Sequence, residues 1–182
     1  MGFINPGGSG VIAFAEYEDV ILADQRIFEA NEIQVPGAYT DLEDYVEAQT
    51  EKATNRILQL IKNTSWWQRY YAIEASDAQR QAAQTLTTLD VPLPDPDLIL
   101  DRQSDFTDLC VYLTLSEFLL PRIADFSAED NAEYRKIGFY QTKFNKLFEE
   151  LIADGSWYDF DNSGTITRQE KLPTPTNLRR IR

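Results

Sequence analysis

The residues with the clearest capacity for chemistry lie near the end of the chain, between Asp159 and Glu170. In a twelve-residue calcium loop, oxygen ligands occupy positions 1, 3, 5, 7, 9 and 12, and a glycine at position 6 makes the sharp turn. Gly164 stands at the sixth position here, and Ile166 is the apolar residue at the eighth. The ligand positions are filled by Asp159, Asp161, Ser163, Thr165 (through its backbone carbonyl), Thr167 and Glu170. The spacing therefore permits a calcium site.

The residues around this segment favour a different structure, a β-hairpin without a metal. A calcium loop of this kind is entered and left by helices, whereas Gly155 is typical of a helix end and Pro173 and Pro175 interrupt a helix that would follow. Strand-favouring aromatic and β-branched residues lie on both sides of the polar turn 161–164. We therefore predict a hairpin over 156–168, with calcium binding as the alternative. Its predicted contact residues are Trp157, Tyr158, Phe160 and Ile166.

The residue types that most hydrolases need are missing. The chain has no histidine and one cysteine, Cys110, which excludes histidine-based zinc sites, Ser-His-Asp triads, Cys-His pairs and internal disulfides. Cys110 lies in an apolar stretch and is expected to be a small buried hydrophobic residue. Neighbouring carboxylates are expected by chance among 30 acidic residues. We predict that the protein is not an enzyme, has no catalytic residue and holds no cofactor, with calcium again the alternative.

Charge is distributed unevenly along the chain. The net charge is −13, yet residues 167–182 contain five basic residues against Glu170. An acidic body does not hold nucleic-acid phosphates, so DNA could pass close to it without binding. No apolar stretch reaches the roughly 18 residues of a membrane span, and the first residues lack the charged-then-apolar order of a signal peptide. We expect a protein that does not associate with membranes.

Apolar residues recur at helical spacing in four segments. The segments are 15–30, 40–64, 105–120 and 127–155. Asp24 interrupts the apolar face of the first, and Thr40 with Glu43 forms a capping-box pattern at the start of the second. The third is apolar almost all round, which predicts a central position in a bundle. Pro121 predicts a kink or a stop at its end.

These segments predict an all-α fold, a bundle of three to four long helices with a C-terminal β-hairpin and extended N- and C-terminal arms. The predicted parts are an N-terminal arm (1–14), the helical bundle (15–155), the hairpin (156–168) and a basic C-terminal arm (169–182). Pro92, Pro94 and Pro96 favour an extended linker at about 91–97 within the bundle. The placement of residues 74–101 is left open.

Four aromatic residues within six positions form a second unusual stretch. They are Trp66, Trp67, Tyr70 and Tyr71. We interpret them as a buried hinge between two elements, and an exposed partner-binding patch is the alternative.

The C-terminal arm combines rigidity with positive charge. Pro173 and Pro175 stiffen it, and basic and apolar residues alternate at its end. We predict that this end docks on a partner through main-chain and arginine contacts; the alternative is a solvated tail. The predicted docking residues are Asn177, Leu178, Arg179, Arg180, Ile181 and Arg182.

Three segments of the chain are informative when they are taken together. They are YTDLEDYVEAQTEKATNRILQLIKNTSWW (39–67), DFTDLCVYLTLSEFLLPRIADF (105–126) and LFEELIADGSWYDFDNSGTITRQEKLPTPTNLRRIR (147–182). With them the chain resembles the head-completion, or neck, proteins that form the head-to-tail connector of tailed bacteriophages. The stretch 74–101 looks longer than the family leads us to expect. The resemblance rests on helical and arm patterns, since no catalytic signature is involved.

The resemblance implies a structural subunit that assembles with copies of itself as a ring, commonly a dodecamer, beneath the portal protein. A loop or hairpin and a C-terminal arm would grip the portal and neighbouring copies, and a further neck or tail-terminator protein would follow. DNA would pass through without specific binding, as the acidic composition permits. The implied location is the neck of the virion, and the host cytoplasm during assembly.

Overall fold

The computed structural model describes residues 12–29, 33–68, 91–124, 132–167 and 170. Most of this part of the chain is helical. The helices are α1 (Tyr17–Ala23), α2 (Gln25–Glu29), α3 (Leu42–Lys62), α4 (Gln103–Leu113), α5 (Leu120–Ile123) and α6 (Ala132–Asp154). A short 3₁₀ turn, Pro96–Leu98, precedes α4, and a π-helical segment, Thr114–Leu119, joins α4 to α5.

Helix α4 lies at the centre of the body, as its all-round apolar sequence predicts. It contacts α1, α3 and α6, and Phe106, Leu109 and Leu113 are buried along it. Cys110 is buried on the same helix, where its thiol donates to the Thr50 carbonyl of α3 at 3.4 Å. Burial raises the pKa of this thiol to about 11. Cys110 is therefore a packing residue, as predicted.

Helical structure continues through Pro121 and ends at Ile123. Pro121 has no N–H and cannot complete the bond that an α-helix would form at its position. The π-helical segment lies directly before it, and there the N–H of Leu120 donates to the carbonyl of Leu115, five residues back. The hydrogen-bond pattern thus changes just ahead of the proline, which allows the helix to continue past it.

Asp24 separates α1 from α2 and connects both to α6. Its backbone leaves the helical region, with φ −150° and ψ 75°. Its buried carboxylate pairs with Lys136 of α6, at 2.7 Å between Oδ2 and Nζ. The Tyr140 hydroxyl donates to the neighbouring carbonyl of Ala23 at 3.0 Å. The polar break in the first predicted helix is therefore a contact point for the last helix.

The cap of α3 lies one residue later than predicted. Asp41, and not Thr40, is the capping residue, and its Oδ1 accepts from the N–H of Asp44 at 2.9 Å. Asp44 in turn accepts from the N–H of Thr40 at 3.0 Å, whereas the sequence assigned that role to Glu43. A carboxylate also gains from the positive end of the helix dipole, which a threonine hydroxyl does not.

The predicted C-terminal β-hairpin is wrong. Within the described residues there is no β-strand, and Tyr158 instead forms an isolated antiparallel bridge with Ile99. The N–H of Asp159 donates to the Leu98 carbonyl at 2.9 Å, and the N–H of Leu100 donates to the Trp157 carbonyl at 3.0 Å. The backbone that would pair within a hairpin is thus paired with the segment before α4.

The described residues include only part of the predicted arms and linkers. Residues 1–11 and 171–182 lie outside the described residues, so the two predicted arms do so almost entirely. Residues 91–95 have no regular structure, and the 3₁₀ turn follows them at the end of the predicted extended linker. Residues 69–90 also lie outside the described part of the chain.

Candidate cation-binding loop

A cluster of aromatic residues fixes the start of the loop to the helical body. This aromatic cluster consists of Trp66, Trp67, Trp157, Tyr158 and Phe160. The ring centroids of Trp66 and Trp157 lie 4.9 Å apart, as do those of Trp67 and Tyr158. Trp66 and Trp67 are buried, as the hinge interpretation predicts. Tyr70 and Tyr71 lie outside the described residues.

Polar contacts of the same side chains fix the cluster in place. The indole N–H of Trp157 donates to the Leu151 carbonyl of α6, and that of Trp67 donates to the Pro92 carbonyl, both at 2.9 Å. The Tyr158 hydroxyl accepts from the N–H of Asp95 at 3.0 Å. Burial raises the pKa of Tyr158 to about 12, so this hydroxyl stays protonated at neutral pH.

Gly155 allows the chain to leave α6 beside this cluster. It has a left-handed backbone, with φ 59°, and its N–H donates to the Leu151 carbonyl at 3.0 Å. A Cβ at this position would lie 2.6 Å from Nε1 of Trp66. The predicted role of Gly155 at the end of the last long helix is confirmed, and the close approach of Trp66 gives a second reason for glycine.

Asp159 organises the first half of the loop. This carboxylate is only 1% exposed. Its Oδ2 accepts from the N–H of Gly164 at 2.7 Å, and its Oδ1 accepts from the N–H of Ser163 at 3.2 Å. Asp161 Oδ1 accepts from the same Ser163 N–H at 3.0 Å. These N–H groups, which a hairpin would direct across its turn, are bound by side chains of the loop itself.

Two residues of the turn have left-handed backbones. Gly164 has φ 79° and Asn162 has φ 54°. Both residue types tolerate this conformation, glycine because it lacks a Cβ and asparagine because its side chain bonds locally. The sharp turn that the pattern assigns to Gly164 is therefore present.

Glu170 closes the loop from its far end. Its Oε1 accepts from the N–H of Phe160 at 2.7 Å and from that of Asp161 at 3.2 Å. Its Oε2 accepts from the N–H of Thr167 at 2.6 Å. Glu170 is 3% exposed. One carboxylate thus joins both ends of the loop through three backbone donors.

Hydrogen bonds favour the ionised form of two of these carboxylates. The Ser163 side chain lowers the pKa of Asp161, and the surrounding backbone N–H groups act in the same direction. Burial tends to raise the pKa of Glu170, but the bonds from Thr167, Phe160 and Asp161 outweigh it, so this pKa is lowered. Both groups are therefore charged at neutral pH.

The three carboxylates converge. One carboxylate oxygen from each of Asp159, Asp161 and Glu170 lies within 4.8 Å of the others. In the described part of the chain, no lysine or arginine forms an ion pair with them. Three oxygens of this kind suit a hard cation such as Ca²⁺, which accepts carboxylate, carbonyl and water ligands. The residues present thus fit the first, third and twelfth ligand positions.

The remaining ligand positions are occupied by contacts inside the loop. The Ser163 hydroxyl donates to the Thr165 carbonyl at 2.9 Å, and the Thr167 hydroxyl accepts from the N–H of Glu170 at 3.4 Å. Ser163 and Thr165 would have to separate to reach an ion. Helix α6 ends at Asp154, so this helix does not run directly into the loop, which begins at Asp159.

The predicted contact residues of the hairpin turn towards the body of their own chain. Trp157 and Tyr158 are buried, while Phe160 and Ile166 are partly buried. Asn177, Leu178, Arg179, Arg180, Ile181 and Arg182, the predicted docking residues, lie outside the described residues.

Sequence reasoning missed the backbone donors that bind Glu170 and the pairing of the loop with residues 98–100. Glu170 was considered as a calcium ligand alone, although a glutamate that follows Thr167 by three residues also has the spacing of a capping box. The pairing with residues 98–100 had no local signal in the sequence.

No protein-family model, curated protein or solved structure matches this chain. Among the helices of the described residues, none has both the length and the apolar character needed to cross a membrane.

Proposed function

We propose that this protein is a structural assembly subunit, and that its basic C-terminal segment, residues 171–182, engages partner proteins. The observation that carries this proposal is the anchoring of Glu170. Three backbone N–H groups bind its carboxylate, and the aromatic cluster holds the start of the same loop on the helical body. The segment after Glu170 therefore begins from a fixed point.

The kind of assembly we propose is the neck of a tailed bacteriophage. The subunit would form a homo-oligomeric ring, commonly a dodecamer, between the portal protein of the head and a further neck or tail-terminator protein. The resemblance of 39–67, 105–126 and 147–182 to neck proteins supports this, as does the strongly acidic composition. Negative charge along a channel disfavours phosphate contacts and lets DNA slide through it.

The proposed contact with the portal is made by the end of the C-terminal segment. Arg179, Arg180 and Arg182 would pair with acidic groups of the portal, because guanidinium groups form two-pronged bonds with carboxylates. Leu178 and Ile181 would add apolar contacts between them.

Deleting residues 173–182 tests this contact. We expect the truncated chain to lose at least about tenfold in affinity for portal rings, since several charge-assisted contacts disappear. Surface plasmon resonance on immobilised portal rings measures the change. Deletion of residues 1–9 is the matched control and should leave the affinity within about twofold. Equal affinities for the full-length and C-terminally truncated chains would refute the docking role.

Calcium binding at the loop is a second candidate function. The observation that favours it is the convergence of Asp159, Asp161 and Glu170, whose carboxylate oxygens lie within 4.8 Å of one another. A Ca²⁺ ion there would reduce the repulsion among the three carboxylates and fix the same anchoring point. The two functions are compatible, because the cation would stabilise the base of the docking segment.

Isothermal titration with calcium tests this second function. We expect binding in the micromolar range that Glu170→Gln abolishes, because the twelfth position normally supplies a two-oxygen ligand. Glu149→Gln, at an exposed position of α6 outside the loop, is the control and should bind as the wild type does. Absence of heat at millimolar calcium would remove the proposal.

A further inference from the structure

A groove lies between α1, α4 and α6, away from the acidic loop. Its volume is about 550 Å³. Its walls carry Asp19 and Leu22 from α1, Asp108 and Tyr112 from α4, and Phe139 and Lys143 from α6. We call it the α1–α4–α6 groove. Neither the proposed ring nor the proposed calcium site, as argued above, uses it.

Two apolar side chains of this groove are more than half exposed to solvent. Leu22 is 83% exposed and Phe139 is 54% exposed. The ring of Tyr112 stacks on that of Tyr140, with centroids 6.0 Å apart, and forms part of the apolar surface. Exposed apolar patches with a polar rim are typical of interaction sites.

Among the residues that line the groove, one lysine, Lys143, accompanies two aspartates, Asp19 and Asp108. Lys143 lies over the rings of Phe139 and Tyr112, with Nζ 4.7 Å and 5.1 Å from their centroids. The carboxylates of Asp108 and Asp19 line the same groove. The pKa of Asp108 is raised, mainly by burial and then by the charge of Asp105, and Lys143 only partly opposes this. A basic ligand would therefore improve the electrostatics of the groove.

We propose that the α1–α4–α6 groove binds the C-terminal segment 171–182 of a second copy of this chain. The segment has the complementary chemistry: Leu178 and Ile181 for the apolar surface, and arginines at 179, 180 and 182 for the aspartates. Arginine also stacks on aromatic rings such as Tyr112 and Phe139. The inference rests on the proposed function, because it assigns a receiving surface to the proposed docking segment.

A contact of this type joins two different surfaces and can repeat from copy to copy. Such heterologous contacts generate closed rings when the rotation between copies is suitable. One segment cannot occupy a neighbouring groove and the portal together. The segment therefore docks in the groove of another copy only when no portal is present. When the portal is present, the segment leaves the groove and binds the portal.

Charge exchange between full-length chains tests the inference. The first variant, Asp108→Arg, reverses a charge in the groove at a position with no side-chain hydrogen bond among the described contacts. The second variant combines Arg179→Glu, Arg180→Glu and Arg182→Glu and reverses the charge of the segment. Each variant alone should self-associate at least about tenfold more weakly than the wild type in sedimentation velocity, because like charges then meet. An equimolar mixture of the two variants should regain association, since each groove finds a complementary segment.

Phe139→Ser tests the apolar part of the groove. It should weaken association without unfolding the chain, because the ring of Phe139 is half exposed.

The control is Glu149→Lys, a charge change on α6 at a position outside the groove, which should associate as the wild type does. A monomeric wild type, or Asp108→Arg behaving like Glu149→Lys, would overturn the inference. So would an equimolar mixture of the two reversed variants that associates no more strongly than either variant alone. The portal-binding measurement is separate, so either proposal can fail while the other stands.

Discussion

At the scale of single residues, Gly155 and Glu170 decide how the chain leaves the helical body. Gly155 has a left-handed backbone, and a Cβ at this position would lie 2.6 Å from Nε1 of Trp66. The carboxylate of Glu170 accepts hydrogen bonds from the backbone N–H groups of Phe160 and Thr167. The position of Gly155 was predictable, because glycine after a long amphipathic segment is a common helix end. The partners of Glu170 were not, since they depend on the folded path of the loop.

Gly155→Ala should destabilise the protein by about 2–5 kcal/mol. Alanine at a positive φ costs about 1–2 kcal/mol, and the overlap of its Cβ with the buried Trp66 ring costs about 1–3 kcal/mol. Urea denaturation followed by tryptophan fluorescence measures the free energy of unfolding.

Gly138→Ala is the matched control for this substitution. Gly138 lies inside α6, and a Cβ there would have nothing within 4 Å. Alanine should therefore stabilise the protein by about 0.5–1 kcal/mol. Changes of the same sign in both variants would contradict the account of Gly155.

At the scale of elements, the helices followed from the sequence and the last segment did not. The 3.6-residue spacing of apolar residues located α3 and α6, whereas the single helical segment predicted over 15–30 is divided at Asp24 into α1 and α2. The strand-favouring residues around Trp157 do pair with another segment through their backbone, but that segment is Leu98 to Leu100. Local composition indicates a preference for extended backbone, and it does not identify a partner nearly sixty residues away.

The closure of the acidic loop should depend on pH through Glu170. Its pKa is lowered in the folded state, so the ionised carboxylate stabilises the fold above its ordinary pKa, and this contribution is lost as the pH falls through the lowered value. We expect the wild-type stability to fall below about pH 5. Thermal melts of wild type and Glu170→Gln across pH 3–7 measure it.

The Glu170→Gln variant should show a shallower decline over this range, because glutamine does not titrate. Glu149→Gln serves again as the control and should follow the wild-type curve. Parallel curves for wild type and Glu170→Gln would mean that the loop closes without help from the charge of this residue.

At the scale of the whole molecule, the chain combines an acidic helical body with a basic C-terminal segment. The aromatic cluster holds the start of the loop between them on the body, and Glu170 joins the far end of the loop to that start. The α1–α4–α6 groove offers a surface of complementary charge for that segment. These features are those expected of a subunit that binds copies of itself and a neighbouring protein.

Composition alone was enough to argue against histidine-based catalysis, because the sequence has no histidine and its single cysteine, Cys110, therefore has no histidine to pair with. Composition could not reveal the groove, since Asp19, Asp108 and Lys143 come from three helices that are distant along the chain. Surfaces formed by several helices depend on their packing, which residue periodicity within each helix does not specify.

Electron microscopy of negatively stained particles tests the central proposal most directly. Purified protein is mixed with rings of a portal protein encoded in the same genome as this chain, and the particles are classified by their symmetry. The account predicts an added ring of density on one face of the portal, with the rotational symmetry of the portal. Portal particles identical with and without the protein, at concentrations well above micromolar, would contradict it.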